Sequence, residues 1–185
     1  MFKLEEATIT SIQSAVAAKE ISYKELTMMY LERIAAIDSC EGGLNSVLEI
    51  NPDALHMAEF MDNERAKGTM KNPIQGIPVL IKDNINAGDK MMTSAGSLAL
   101  SGNFTPYRDA GIVQGLLAGG AVILGKTNMT ELSNWMSEGM PNGYSSRGGQ
   151  VKNPYNREAD PSGSSTGSAV AVSANLCTVS VGTET

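Results

Sequence analysis

Pro78-Val79-Leu80-Ile81 is an unbroken apolar run, entered through Gly76-Ile77 and closed by Lys82. A strand with one solvated face alternates apolar and polar residues, so a run without alternation reads as a strand buried on both faces. Such a strand needs pairing partners on its edges and cover on its faces. The surrounding sequence offers both. Residues 7–20 read as a helix, and Ser22-Tyr23-Lys24-Glu25 has the form of a capping box. It opens a second helix with Leu26, Tyr30, Ile34 and Ile37 on one stripe, ended by Gly42-Gly43. Residues 44–50 alternate as a half-buried strand does. Asn51-Pro52-Asp53 supplies an N-cap, an N1 proline and a first-turn acid for a third helix over residues 53–67. Asp109 reads as the cap of a helix running to Ala118, Gly119-Gly120 ends it, and Ala121 to Leu124 form another strand. Residues 137–160, rich in Gly, Asn, Ser and Pro, read as a long loop of the kind that carries function. A helix over Ala169 to Leu176 and a strand over Thr178 to Val181 complete an alternation of helices with apolar strands, the pattern of an α/β fold.

Composition narrows the function. With 42% hydrophobic and 18% charged residues the chain is globular in character, and 185 residues suffice for one domain. A formal net charge of −6 argues against nucleic acid as a partner. No apolar run approaches the ~20 residues of a membrane span. Met1 to Glu6 lack the apolar stretch of a secretory signal, so a soluble, cytoplasmic protein is expected. Cys40 and Cys177 are too few for a disulfide framework and are expected to be buried, reduced thiols. The 11 methionines read as packing residues, not metal ligands.

Asp160-Pro161-Ser162-Gly163-Ser164-Ser165-Thr166-Gly167-Ser168 is a Ser/Gly loop that leads into the apolar run Ala169 to Val172. Serine chemistry needs a base, and the chain's single histidine, His56, lies far upstream in the third helix. Lys82 is the better base. Burial at the end of its strand disfavours the charged form and lowers a lysine pKa towards the range of a general base. Asp83 beside it is placed to oppose that shift, and a lysine closing a strand also fits a snorkelling surface residue. The loop has other readings too. Gly163-Ser164-Ser165-Thr166-Gly167 matches the G-x-S-x-G nucleophile elbow with Ser165 as nucleophile, but no histidine follows. A phosphate-binding loop would need longer glycine spacing and a lysine after Gly167. A plain helix cap through Ser164 or Ser165 is the structural alternative.

Five segments in order resemble the amidase signature family. Gly76-Ile77-Pro78-Val79-Leu80-Ile81-Lys82-Asp83-Asn84 is similar to its lysine motif. Thr93-Ser94-Ala95-Gly96-Ser97, Gly125-Lys126-Thr127-Asn128-Met129 and Gly163-Ser164-Ser165-Thr166-Gly167-Ser168-Ala169 resemble its next three blocks, and Gly182-Thr183-Glu184-Thr185 the lead-in to its nucleophile. Gly143-Tyr144-Ser145-Ser146-Arg147-Gly148-Gly149-Gln150, followed by Asn153-Pro154-Tyr155, is more similar to the bacterial peptide amidases than to the glutamyl-tRNA amidotransferases. The resemblance implies an α/β fold with a mixed sheet flanked by helices, of which residues 1–185 form the N-terminal portion of a single domain. It implies amide hydrolysis, on linear amides or C-terminal peptide amides, by a Ser-Ser-Lys triad with no metal or organic cofactor. Lys82 would be the neutral base and Ser164 the bridging serine on a cis peptide. The nucleophile would be the third residue beyond Thr185, so the 185 residues alone are expected to be inactive and, with an incomplete sheet, to self-associate. Ser133, Asn134 and Ser165 are expected to line the substrate site together with Trp135, although Ser133 to Trp135 also fit simple helix packing. Ser162 and Thr166 stand where the family has glycines, and a change in loop flexibility is expected. The opposing reading is a truncated, non-catalytic relative that binds without turning over.

Overall fold

The computed structural model describes residues 2–69, 72–102 and 107–184; Met1 and Thr185 lie outside them. Helix α1 spans Ile9–Ala17 and starts on Thr8, whose hydroxyl accepts from the Ser11 amide while Ser11 returns a bond to the Thr8 amide. Helix α2 spans Tyr23–Ile37 and starts on the capping box read from sequence, Ser22 with Glu25. Strand β1, Val47–Ile50, is followed by helix α3, Ala54–Ala66. The expected cap is displaced: Asp53, not Asn51, holds the N-cap position and makes no side-chain cap bond, while Asn51 Oδ1 accepts from the Asp53 amide in the turn before α3. Asp62 on α3 accepts from the amides of Tyr23 and Lys24 and places a carboxylate on the N-terminus of α2. That pair joins the two helices, and the ring of Tyr23 is fully buried against Gly76.

Strand β2, Pro78–Lys82, and strand β3, Val122–Thr127, are buried along their whole length. Helix α4, Gly111–Ala118, precedes β3, and Gly119-Gly120 ends it as expected. Its predicted cap is wrong. Asp109 caps nothing on α4; its carboxylate accepts from the Gly88 amide, and Ala110 holds the cap position without a side-chain bond. The loop over 137–160 carries a short hairpin, β4 at Tyr144–Ser145 and β5 at Gly149–Gln150. Helix α5 spans Thr166–Ser173, one turn earlier than the apolar run indicated, and β6 spans Val179–Val181.

The strands form a four-stranded sheet in the order β1-β3-β2-β6. β3 pairs parallel with β2, and β2 parallel with β6, while β1 runs antiparallel to β3. The fold is therefore mixed α/β, with the two unalternating apolar strands at its centre. Cys177 is buried, but Cys40 is exposed, against expectation. No described helix is long and apolar enough to cross a membrane.

Candidate active site

Side chains alternate along a strand, and Lys82 lies opposite Thr127 in register. The two therefore share one face of the sheet, and Lys126 belongs to the other. Lys82 is fully buried at the C-terminal end of β2. Its Nζ lies 2.8 Å from Ser164 Oγ and 2.9 Å from Thr183 Oγ1. Burial pushes its pKa down to about 8, with the Glu184 carboxylate opposing. It is not a snorkelling surface lysine. Nor does Asp83 hold it charged. Asp83 turns to the opposite side, where it accepts from Ser94 Oγ at 2.6 Å and the Gly96 amide at 2.8 Å and faces Arg147. Burial raises its pKa, and those bonds, Lys126 and Arg147 oppose the rise. Arg147 also pairs with Glu49 on β1, so the hairpin loop is tied to β1 and to the turn that follows β2.

Lys126 is the second buried lysine, also pushed down to about 8 by burial. It donates to the Ile85 carbonyl at 2.6 Å and to Thr93 Oγ1 at 2.7 Å, and so holds the turn that follows Lys82.

Ser164 sits on a cis Gly163–Ser164 peptide, and its carbonyl accepts from the Thr130 amide at 3.1 Å. Gly167 lets α5 descend onto the end of β3: a Cβ there would lie 2.3 Å from the Asn128 carbonyl and 2.5 Å from that of Ser46. Ser168 Oγ meets Thr127 Oγ1 at 2.8 Å on the Lys82 face. Ser165 precedes α5 but makes no side-chain cap bond. Its hydroxyl exchanges bonds with the backbone of Thr183, donating to the carbonyl at 3.0 Å and accepting from the amide at 3.1 Å. The capping reading of the loop is therefore wrong, and Ser165 is tied to the backbone of Thr183.

A cleft of about 370 Å³ opens over Ser164, lined by Ser133, Asn134, Trp135, Asn142, Gly163, Thr183 and Glu184. Ser133 and Asn134 do not pack as an ordinary helix. Leu132, Ser133 and Asn134 take φ of 47°, 57° and 72° in the short turn Glu131–Asn134. This left-handed path leaves Trp135 80% exposed at the cleft edge. His56 lies exposed on α3 and takes no part.

The Amidase family model matches residues 25–185. The chain belongs to the amidase family. A probable amidase of Arabidopsis thaliana is 50% identical over 186 residues, an alignment that spans 100% of this chain and 36% of that protein. The crystal structure of the native peptide amidase from Stenotrophomonas maltophilia superposes with a TM-score of 0.94 at 49% identity, covering 100% of this chain and 37% of that one. A glutamyl-tRNA(Gln) amidotransferase component from Methylobacillus flagellatus is 40% identical over 179 residues, 96% of this chain and 34% of that protein. This amidase-family chain thus spans little more than a third of the length of these relatives.

The two departures from the family's loop lie against each other. Thr166 is buried, and its hydroxyl donates to the Ser162 carbonyl, while Ser162 takes a left-handed φ of 61°. The Ser162 amide in turn donates to Asp160 Oδ1 at 2.7 Å. These bonds brace the loop that carries Ser164. Two polar neighbours of Lys82 escaped the sequence reading. Thr183 stands in the last block without a role, and Asn84, at the end of the lysine motif, donates to Thr183 Oγ1 at 3.0 Å. Their only signal in sequence is membership of those blocks.

Proposed function

We propose that this chain is the N-terminal portion of an amidase domain and carries two members of a Ser-Ser-Lys triad, Lys82 and Ser164. The observation that carries the reading is the 2.8 Å contact between Lys82 Nζ and Ser164 Oγ at the floor of a cleft. Neutral Lys82 accepts the Ser164 proton as Ser164 takes the proton of the nucleophilic hydroxyl, which attacks the amide carbonyl. The nucleophile is a serine supplied by residues that follow Thr185. Protonated Lys82 then returns its proton through Ser164 to the departing nitrogen, and the C–N bond breaks with loss of ammonia. Water enters along the same relay, hydrolyses the ester and regenerates the serine. Both attacks, by the serine on the amide and by water on the ester, need Lys82 neutral at their start, which its burial supports.

Substrates are linear amides, with C-terminal peptide amides favoured. The cleft walls offer the side-chain amide of Asn134, which both donates and accepts and so matches a peptide backbone, and that of Asn142, whose nitrogen is held by Asp160. The exposed Trp135 ring offers an apolar face for a side chain. Similarity to a peptide amidase supports the same class. No metal or cofactor enters the scheme. The test is made on the chain joined to the residues that follow it in its gene. Wild type is expected to release ammonia and carboxylate one for one from a peptide amide. Lys82→Met and Ser164→Ala are expected to abolish turnover while the fold is kept. Full activity in either variant would overturn the triad.

A further inference from the structure

Lys82 has two hydroxyl partners, and the triad uses one. The other, Thr183 Oγ1, lies 2.9 Å from Lys82 Nζ and 3.0 Å from Asn84 Nδ2. Asn84 Nδ2 also reaches Ser133 Oγ at 3.4 Å. The other end of that amide stands apart. Asn84 Oδ1 is buried and, among the described residues, has no hydrogen-bond partner. A buried acceptor left unsatisfied destabilises a fold, and leucine, of nearly the same shape, would remove the cost. The carbonyl end thus gives the fold nothing, which leaves the nitrogen end to account for the asparagine.

A neutral lysine amine has two N–H donors and one lone pair, and a base needs that lone pair on its target. A threonine hydroxyl can accept from the amine or rotate and donate to it. If Thr183 donates, it occupies the lone pair that Ser164 requires. In the observed arrangement the N–H groups of Asn84 and Lys82 take both lone pairs of Thr183 Oγ1, which turns its proton away from Nζ. We infer that Asn84 is a positioning residue: by donating to Thr183 Oγ1 it keeps that hydroxyl an acceptor and reserves the Lys82 lone pair for Ser164. The inference rests on the base role of Lys82 proposed above. Without Asn84 the Thr183 hydroxyl rotates and donates to Nζ in part of the population. That bond stabilises the neutral amine but blocks proton transfer from Ser164.

The test uses Asn84→Leu, Thr183→Val and the double variant, in the chain joined to the residues that follow it, on a C-terminal peptide amide. Asn84→Leu is expected to lower kcat by about tenfold to a hundredfold, the scale of a misplaced catalytic group. KM is expected to stay the same, Tm to stay or rise, and the acid limb of the pH profile to move to lower pH. In the Thr183→Val background, which has no hydroxyl to rotate, Asn84→Leu is expected to cost nothing further. Unchanged kcat, a loss of activity that tracks a loss of Tm, or multiplicative losses in the double variant would each overturn the inference. Lys82→Met separates the two readings. If it stays active, the base role fails and this inference with it. If it is inactive while Asn84→Leu is fully active, only the role of Asn84 is overturned.

Discussion

Lys82 costs the fold something at neutral pH, and the sign can be worked out. Its pKa falls from the ordinary 10.5 to about 8 on burial, so the folded state holds this proton less tightly than the unfolded one. The penalty is present in full below about pH 8, fades between the two values and is gone above about 10.5. Lys82→Met, which keeps the stem and removes the charge, is therefore expected to be more stable than wild type at pH 7. The gain is on the order of 1–3 kcal/mol, at 1.36 kcal/mol per pKa unit. Denaturant melts at pH 7 and pH 10.5 check it: the difference between the two proteins should shrink at the higher pH. How far single residues were legible depended on what fixes them. Lys82 could be read because an apolar run ends on it. The orientation of Asp83 could not, since it depends on Ser94, Gly96 and Arg147, which lie 11 to 64 residues away. Ser165 matched a nucleophile pattern, yet its bonds go to Thr183, 18 residues on.

At the level of elements, the approach of α5 to β3 sets the position of Ser164, and Gly167 permits it. Gly167→Ala places a methyl group against the Asn128 and Ser46 carbonyls, backbone atoms that cannot swing aside. A loss of about 1–3 kcal/mol is expected, the usual range for overpacking. Activity is expected to fall further than stability alone accounts for, because the helix start moves with Ser164. Comparing kcat with Tm across Gly167→Ala and a surface control separates the two effects. β2, β3 and α2 were legible because each carries its own signal, an apolar run or a capping box. The turn Glu131–Asn134 was not. Three consecutive non-glycine residues there take left-handed φ, a path that Leu-Ser-Asn does not announce, and the contacts around it hold it. Asp109 was misread because an acid before a helix looks like a cap until a competing donor, the Gly88 amide, appears.

Across the whole molecule, β6 pairs with β2 on one edge and has no second neighbour among the described residues. Its residues are only half-buried, and Val172 on α5 is 41% exposed nearby in sequence. An open strand edge templates pairing with another chain. We expect the 185 residues studied by themselves to self-associate and to be inactive on amides. Sedimentation over a range of concentrations checks the first point: a concentration-dependent mass is expected, and a monomer throughout would contradict it. The fold class and the pairing of Lys82 with Ser164 were legible, because ordered blocks of sequence mark them, whereas the contacts of Thr183 and Asn84 were not. The cleft's shape was not, since it arises from backbone twists and long-range bonds. The central claim is that Lys82 must be neutral to start the reaction. The most direct measurement is the pH dependence of kcat/KM for ammonia release from a peptide amide by the chain joined to the residues that follow it. The account predicts an acid limb that rises with a single proton to a plateau above about pH 8, the Lys82 value. A profile that stays flat from about pH 6 to 9, well below and above that value, would contradict it.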